Sequence, residues 1–257
     1  MKITTWNVNS IRAREERLLA WLEREQPDVM CLQELKVTHD DFPFEALEAA
    51  GYHAAAHGQK TYNGVAILSR SEAANVIRGM DDGVDDPQAR LIQADVDGVR
   101  FVNGYFPNGK EVGSPKYEYK LAWMKRVVAH LERTASPSDD LVLCGDFNVA
   151  PYESDIANPE KWQDSVLCHH EAREALDAIR DWGFTDLLRL HHPEGGVYSW
   201  WDYRMLGFPK GDGLRIDHIY ATESVARRCT SARVDRDERK GKKPSDHAPV
   251  IAEIEER

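Results

Sequence analysis

Polar side chains suited to catalysis occur in five short segments, each beside an apolar run typical of a strand. The segments are Thr5–Arg12, Val29–Lys36, Val142–Pro151, Leu214–Tyr220 and Pro244–Val250. They supply carboxylates, amides and histidines. Carboxylate and amide oxygens bind hard divalent cations, and a histidine held by a carboxylate exchanges protons near neutral pH. The pattern therefore indicates metal-assisted or acid–base chemistry carried by the ends of strands.

In the third segment an apolar strand ends at Gly145 and is followed by Asp146, Phe147 and Asn148. Because side chains alternate along an extended chain, Asp146 and Asn148 lie on one side while Phe147 points into the core. A carboxylate and an amide on one side can hold a water molecule and a phosphoryl oxygen together. An Asx turn that closes the strand is the alternative, and the local context favours the functional interpretation.

Glu34 follows a buried apolar strand, where an unpaired carboxylate would be costly. It therefore needs a metal ion or a basic partner, and nearby Lys36 is the simplest partner. The residues of this segment leave both interpretations open. Asn7 and Asn9 also follow a strand, but amides at such positions are usually turn or helix-cap residues.

Asp246 and His247 are adjacent just before the last strand. Neighbouring side chains of an extended segment point apart, so these two residues are expected to have different roles. His247 then needs another carboxylate to orient it, and Asp217 is the candidate. Asp246 is left to hold a metal ion or a water molecule.

Strand patterns recur along the whole chain, with three amphipathic helices between them. Val96-Asp97-Gly98-Val99 is a hairpin signal, so the sheets are mixed. The predicted architecture is a layered α/β sandwich of two sheets in a single domain, residues 1–257. The predicted strands are Ile3–Val8, Asp28–Leu35, Gly64–Ser69, Ala89–Val96, Val99–Phe106, Leu141–Asp146, Leu214–Tyr220 and Ala248–Ile254, and the predicted helices are Arg12–Glu25, Pro115–Arg133 and Glu171–Trp182.

The composition limits the possible functions. The 33 Lys and Arg against 44 Asp and Glu give a net charge of −11, which argues against coating nucleic acid by bulk charge but not against a nuclease. Apolar runs are too short to span a membrane and no secretory signal is apparent, so a cytoplasmic protein with buried free thiols is expected. Two basic stretches are expected to be solvated surface: Lys110, Lys116, Lys120, Lys125 and Arg126, and Arg236, Arg239, Lys240, Lys242 and Lys243.

Taken together, the five segments match one family in order and in sequence. From Ile3–Asn9 to Ser245–Pro249 the chain resembles the exonuclease III family of abasic-site DNA repair nucleases, within the endonuclease/exonuclease/phosphatase superfamily. Tyr62–Ser69, Asn103–Gly109 and Tyr198–Arg204 also match. The resemblance implies a four-layer α/β sandwich, DNase I-like, with two mixed sheets flanked by helices and an active site at one rim.

The resemblance also implies roles for individual residues. Asp146 would position and deprotonate the attacking water with help from Asn148, and Asp217 would orient His247 toward the scissile phosphate. Tyr105 would hydrogen-bond that phosphate. Glu34 would ligate Mg²⁺, for which Mn²⁺ is an expected substitute. The remaining implied ligands are Asn7, Asp146, Asn148 and Asp246, and the implied substrate contacts are Asn9, Asn108, Trp200, Arg204, Leu214 and Ile216.

The implied substrate is duplex DNA carrying abasic sites or damaged 3′ ends, cut by a monomer. Family members divide abasic endonuclease, 3′ exonuclease and 3′-phosphatase activity differently, and a 3′-end enzyme with little abasic activity is the alternative. A bulky His169 or His170 near the pocket would favour that alternative. Other phosphoesterases of the superfamily and a catalytically silent DNA-binding protein on this fold are more distant possibilities. One of Trp200 and Trp201 is expected in the core and the other at the site.

Overall fold

The computed structural model describes residues 1–255, and within them twelve strands form two six-stranded sheets. The first sheet contains β1 (Lys2–Asn7), β2 (Val29–Gln33), β3 (His53–His57), β4 (Val65–Ser69), β11 (Cys229–Val234) and β12 (Val250–Ile254). The second contains β5 (Ala74–Arg78), β6 (Leu91–Val96), β7 (Val99–Tyr105), β8 (Leu141–Asp146), β9 (Phe184–Asp186) and β10 (Asp217–Thr222).

Three long helices cover the sheets: α1 (Ile11–Glu25), α3 (Pro115–Thr134) and α5 (His170–Asp181). Five shorter helices occupy the connections. They are α2 (Phe44–Ala49), α4 (Pro159–Trp162), α6 (Leu187–His191), α7 (Gly207–Lys210) and α8 (Glu223–Ala226).

Each sheet has one parallel pair among antiparallel neighbours. The strand orders are β11-β12-β1-β2-β4-β3 and β5-β6-β7-β8-β10-β9, with β1 parallel to β2 and β7 parallel to β8. The carboxyl ends of a parallel pair lie at the same sheet edge, so the residues that follow these four strands face one rim. The antiparallel strands β10 and β12 begin at that rim, because Asp217 pairs with Asp146 and β12 runs against β1.

Three apolar layers hold the four-layer sandwich together. Between the sheets, residues such as Ile3 and Ile67 pack against Phe101 and Ile219. A second layer joins the first sheet to α1 through Trp6, Leu18 and Trp21, and a third joins the second sheet to α3 and α5 through Trp123, Phe147 and Leu176. Burial of this apolar area supplies the main favourable free energy of folding.

The predicted strands and helices are observed, with ends that differ by a few residues. The largest shift is at β10, which begins at Asp217 rather than Leu214 because Leu214 forms isolated bridges with Ile156 and Trp200 instead. The predicted hairpin is also present: Val96 pairs with Val99, and the turn residues Asp97 and Gly98 both have positive φ. The strands β3, β5, β9 and β11 were not predicted.

The basic stretches are not uniformly solvated, which corrects the prediction made for them. Lys120 is completely buried, and Arg239 is buried as well, donating to the backbone carbonyls of Ser245 and Trp201. The thiols follow the prediction more closely. Cys31, Cys144 and Cys168 are buried free thiols, whereas Cys229 is partly exposed. None of the helices within residues 1–255 is long and apolar enough to cross a membrane.

Candidate active site

The side chains of all five predicted segments converge at the rim described above. Asn7 ends β1, Glu34 follows β2, Tyr105 ends β7, Asp146 ends β8 and Asp217 begins β10. Close backbone contact between β7 and β8 keeps the ends of these two strands in register. A Cβ at Gly145 would collide with the carbonyl oxygen of Gly104 on the neighbouring strand, so glycine is required directly before Asp146.

His247 is held between two carboxylates. Its Nδ1 lies 2.9 Å from Asp217 Oδ2, and its Nε2 lies 3.7 Å from Asp146 Oδ2. Asp217 is fixed in turn by Ser199, whose hydroxyl donates to Oδ2 at 2.6 Å. The pairing of Asp217 with His247 that the sequence predicted is therefore present.

These contacts shift the pKa values of His247 and Asp146. Burial lowers the pKa of His247, but the carboxylates of Asp217 and Asp146 outweigh it and raise the pKa to about 10. Burial and the nearby Asp217 raise the pKa of Asp146 to about 7, against the opposing effect of His247. The rim thus holds an imidazolium beside a carboxyl group that exchanges its proton near neutral pH.

Asp146 and Asn148 share one side of the chain, as the alternation predicted. The Asn148 backbone N–H donates to Asp146 Oδ1 at 2.9 Å, and its Nδ2 lies 3.2 Å from Asp146 Oδ2. The first of these bonds is the Asx-type turn of the alternative interpretation, so the turn and the functional arrangement coexist. Phe147 lies between them in the core, stacked on Phe106 at 4.1 Å.

Asn7 joins the carboxylates of the two sheets. Its Nδ2 donates to Glu34 Oε2 and to Asp146 Oδ2, each at 2.9 Å. Glu34 adopts a left-handed backbone conformation with φ 57°, and its Oε1 lies 2.9 Å from Lys36 Nζ. The basic partner proposed for Glu34 is thus found, and a metal ion at Glu34 stays a prediction.

The donor set at this rim suits a hard cation. Glu34, Asp146 and Asp246 offer carboxylate oxygens, which are ligands that oxygen-preferring divalent ions take. Asn7 turns its Nδ2 toward two of these carboxylates while its Oδ1 accepts from the Asn9 backbone N–H, so its role as a ligand stays a prediction. Ligand atoms of Asp146, Asp217 and His247 also lie within 4.8 Å of one another. Asp217 occupies Nδ1 of His247 and Asp146 faces its Nε2, so these three residues suit acid–base chemistry, and the carboxylates of Glu34 and Asp246 are the better candidate metal ligands.

Asp246 points away from His247, as expected for neighbours on an extended segment. It accepts hydrogen bonds from Asn9 Nδ2 at 2.9 Å and from Trp200 Nε1 at 3.0 Å. Burial opposes ionisation, but the positive His247 and these two donors lower the pKa of Asp246. Its carboxylate therefore stays charged next to the predicted metal ligands.

Tyr105 and Asn108 complete the polar rim from the second sheet. Tyr105 is half-buried with the Arg90 guanidinium 4.9 Å from its ring centre. Burial, reinforced by Glu34 and Asp146, raises the pKa of Tyr105 well above its usual value, so the phenol keeps its proton. Asn108 Nδ2 donates to Asn148 Oδ1 at 2.9 Å, which links the two loops.

A cavity of about 520 Å³ lies next to the site, which it reaches through Asn108, bonded to Asn148, and Trp200, bonded to Asp246. Asn108, Trp200 and Arg204 line it, whereas Leu214 and Ile216 are fully buried in the core cluster against which Trp200 packs. Direct contact of Leu214 and Ile216 with substrate stays a prediction. Arg204 is exposed and paired with Asp202 at 2.8 Å.

The two tryptophans divide as predicted. Trp201 is buried, with an exposed fraction of 1%, and its ring meets Phe208 edge-on at 5.2 Å. Trp200 is half-buried at the cavity and bonded to Asp246. Trp201 is therefore a core residue and Trp200 a residue of the site.

Trp162 is a residue of the pocket wall that the sequence did not predict. The wall is formed by the stretch from Trp162 to Leu167, and the Trp162 ring meets Trp200 edge-on at 5.5 Å. His169 does not line this cavity, because it precedes α5 and its Nδ1 lies 2.9 Å from the Tyr117 hydroxyl. A tryptophan just after the helix-start pair Asn158-Pro159 was the available signal for the wall.

Lys120 was missed as a residue that supports the site. It lies on the apolar stripe of α3 with Tyr117, Met124, Val127 and Leu131. That spacing places it on the buried face of the helix. Periodicity was thus the signal that would have separated Lys120 from the exposed lysines around it.

The sequence that forms this site matches the model of a known protein family. The model of the endonuclease/exonuclease/phosphatase family matches residues 4–247. The chain belongs to this family. This match and the similarity to known DNA nucleases over nearly the full chain confirm the predicted family and fold, and they confirm the prediction of a hydrolytic DNA nuclease.

Members of the family resemble the chain over nearly its full length. Exodeoxyribonuclease III of Haemophilus influenzae is 37% identical, over 99% of this chain and 100% of that protein. An AP endonuclease from Archaeoglobus fulgidus superposes with a TM-score of 0.96 at 40% identity, covering 99% of both chains. The Neisseria 3′ phosphatase NExo, solved with a product DNA hairpin, gives 0.95 at 45% identity and the same coverage.

Proposed function

We propose that the protein is a metal-dependent DNA repair phosphodiesterase that cuts duplex DNA 5′ to abasic sites and removes blocks or nucleotides from 3′ ends. The products at an abasic site are a 3′-hydroxyl and a 5′-deoxyribose phosphate. The observation that carries the proposal is the position of His247 between Asp217 and Asp146, next to the carboxylate of Glu34 on the facing sheet.

Asp146 is the residue that positions the attacking water and takes its proton. A pKa of about 7 lets its carboxylate exchange a proton near the pH at which it works. Hydrogen bonds from Asn7 and Asn148 fix the orientation of this carboxylate. The water is therefore held in one direction, toward the phosphorus atom.

His247 faces the nonbridging oxygens of the scissile phosphate as an imidazolium. Because Asp217 holds Nδ1, the Nε2 proton is the one left to face the anion. Tyr105 and Asn148 are further donors to the phosphate, and Asn108 fixes Asn148. Donors placed in advance around a developing charge stabilise the transition state without reorganising.

The metal proposed for the site is Mg²⁺, with Mn²⁺ as a substitute. Glu34, Asp246, Asp146 and the amides Asn7 and Asn148 would hold it. A bound Mg²⁺ supplies positive charge to the phosphate oxygens and to the leaving 3′ oxygen. Lys36 Nζ already contacts both Glu34 Oε1 and Asn9 Oδ1, and it is a proposed contact to the DNA backbone.

Selectivity for abasic DNA is proposed to come from the shape of the cavity. A pocket walled by Trp162 and Trp200 admits a sugar without a base and excludes a complete nucleotide. Flipping a base-less sugar out of the duplex is also cheap, because no stacking is lost. Asn108 and Arg204 line this cavity, and Asn9 is bonded to Asp246; all three are proposed contacts to DNA.

The second candidate is a 3′ exonuclease and 3′-phosphatase with little abasic endonuclease activity. The similarity to the Neisseria 3′ phosphatase favours it. We further propose that both sheets belong to one domain, residues 1–257, and that the protein acts in the cytoplasm as a monomer on duplex DNA.

A gel assay tests these proposals. One duplex carries an internal abasic-site analogue and the other a nick with a 3′-phosphate, each incubated with Mg²⁺ or with EDTA. Mg²⁺-dependent internal incision is the expected result. Trimming at the 3′ end alone would select the second candidate, and no reaction on either duplex would overturn the DNA-repair function.

A further inference from the structure

A lysine ammonium group lies buried beneath the candidate site. Lys120 Nζ donates to the backbone carbonyl oxygens of Asn148 and Val166, both at 2.7 Å, and of Asn108 at 3.2 Å. An ammonium group has three protons, so each proton has one acceptor. The three carbonyls offset only part of the cost of burying a charge, because burial still lowers the pKa of Lys120 to about 7.

The three acceptors belong to three separate loops of the site. Asn108 lies in the loop after β7, Asn148 follows β8, and Val166 lies between α4 and α5 in the cavity wall. Lys120 therefore connects the backbones of Asn148, Asn108 and the Val166 wall. Helix α3, which carries Lys120, is a long and well-packed element suited to this role.

The stem of Lys120 also acts as a spacer. A Cβ at Gly109 would lie 3.2 Å from Lys120 Cδ and 3.1 Å from Tyr117 Cδ2, so the Asn108 loop rests directly on the side chain. Gly109 has a φ of +95°, which favours glycine there. Both the length and the charge of Lys120 thus define where Asn108 stands relative to the wall.

We infer that Lys120 is a positioning residue that sets the spacing between the Asn108 loop and the Val166 wall, and so the division between internal incision and 3′-end removal. The inference rests on the proposed function. An internal abasic sugar must fit between these loops, whereas a terminal phosphate needs mainly Asp146 and His247. Loss of the ammonium group therefore affects the first substrate more than the second.

The test compares Lys120→Met, which keeps the stem and removes the donors, with Lys125→Met on the exposed face of the same helix. The expected result is a change of at least fivefold in the ratio of internal incision to 3′-phosphate removal for Lys120→Met, carried by kcat. Lys125→Met leaves the ratio within twofold of the wild type. An equal loss of both activities in Lys120→Met would overturn the inference.

Hydrogen–deuterium exchange gives a readout that does not depend on activity. In Lys120→Met, peptides covering residues 106–112, 148–152 and 163–169 exchange faster, while the β1 and β12 peptides do not. Unchanged exchange in those three loops would overturn the inference even in an active enzyme. A wild-type protein that cuts neither duplex would instead overturn the proposed function and leave the exchange result as the test of positioning.

If Lys120→Met does not fold, Gly109→Ala replaces it. The added methyl group presses the Asn108 loop against Lys120 and Tyr117 while the three donors remain. A shifted activity ratio in this variant supports the inference, and a proportional loss of both activities overturns it.

Discussion

Asp217 holds the Nδ1 side of His247 at 2.9 Å, so that the opposite ring nitrogen faces Asp146. Replacement of Asp217 by Asn keeps the shape but removes the charge that stabilises the imidazolium. We expect Asp217→Asn to lower kcat for abasic DNA by roughly a hundredfold or more. The measurement is single-turnover cleavage, with DNA binding in EDTA expected to change less than threefold. A kcat within threefold of the wild type would show that His247 does not need this carboxylate.

Substitution of Glu34 should weaken metal binding without destabilising the fold. Glu34→Gln keeps the hydrogen bond from Asn7 but removes the negative charge that attracts a cation. We expect the Mg²⁺ concentration for half-maximal activity to rise at least about tenfold, with an unchanged melting temperature. Glu16→Gln, on the exposed face of α1, is the control. An unaltered Mg²⁺ titration would assign Glu34 to its ion pair with Lys36 alone.

The adjacent tryptophans should respond to alanine in opposite ways. Trp201→Ala removes a fully buried ring, and we expect the free energy of unfolding to fall by about 3–5 kcal/mol while the folded fraction stays active. Trp200→Ala is expected to lower abasic incision at least about tenfold, with a much smaller loss of stability, because one face of its ring borders the cavity. Urea titration and incision rates measure the two effects. Equal losses of activity and stability in Trp200→Ala would make it a core residue.

The position of the pocket wall indicates that Trp162, rather than His169, controls access to the cavity. Trp162 packs on Trp200 at the cavity, while His169 is bonded to Tyr117 away from it. Trp162→Ala is therefore expected to change the ratio of internal incision to 3′-end removal by at least about threefold. His169→Gly should leave the ratio unchanged. A changed ratio in His169→Gly and an unchanged ratio in Trp162→Ala would show that His169 controls access to the cavity.

His218 predicts a loss of stability at acidic pH. Burial and the neighbouring Arg215 lower its pKa from 6.5 to about 4. Between these values the unfolded chain binds a proton that the folded protein does not, so stability falls as the pH decreases from 6.5 to 4. The full effect is roughly 3 kcal/mol. Urea unfolding at several pH values, compared with His218→Gln, measures it.

Other buried groups act in the same experiment with known signs. The pKa of Asp146 is raised to about 7, so Asp146 stabilises the fold as the pH falls in this window. His247, with a pKa of about 10, acts only above pH 6.5. The difference between wild type and His218→Gln therefore isolates His218, and His53→Gln at the exposed start of β3 is the control. Parallel pH curves for wild type and His218→Gln would contradict the assignment.

Local sequence identified the strands whose apolar runs are buried on both faces. It missed β5, because Ala74–Arg78 is largely exposed, and β3, because His53–His57 lacks β-branched residues. It also missed β9, which is only three residues long. Such strands exist through pairing with their neighbours rather than through their own pattern.

The residues of the candidate site were easier to predict from the sequence than the residues that position them. Asp146, Asp217 and His247 stand in short segments whose alternation fixes their directions. Lys120 and Trp162 reach the site through long-range packing of a helix face and a loop, which the local sequence does not specify. Side chains that act at a distance from their own segment therefore need the structure.

The pairing of β1 with β12 has a consequence for the order in which activity appears. Trp6 Nε1 donates to the His247 carbonyl oxygen, and Ser245 Oγ donates to the Asn7 carbonyl oxygen at 2.7 Å across 238 residues of sequence. A chain emerging from the ribosome holds Asn7 and Glu34 long before it can hold His247. Contacts of such sequence separation form slowly. A nascent chain therefore completes the group of Asp146, Asp217 and His247 only after β12 docks on β1.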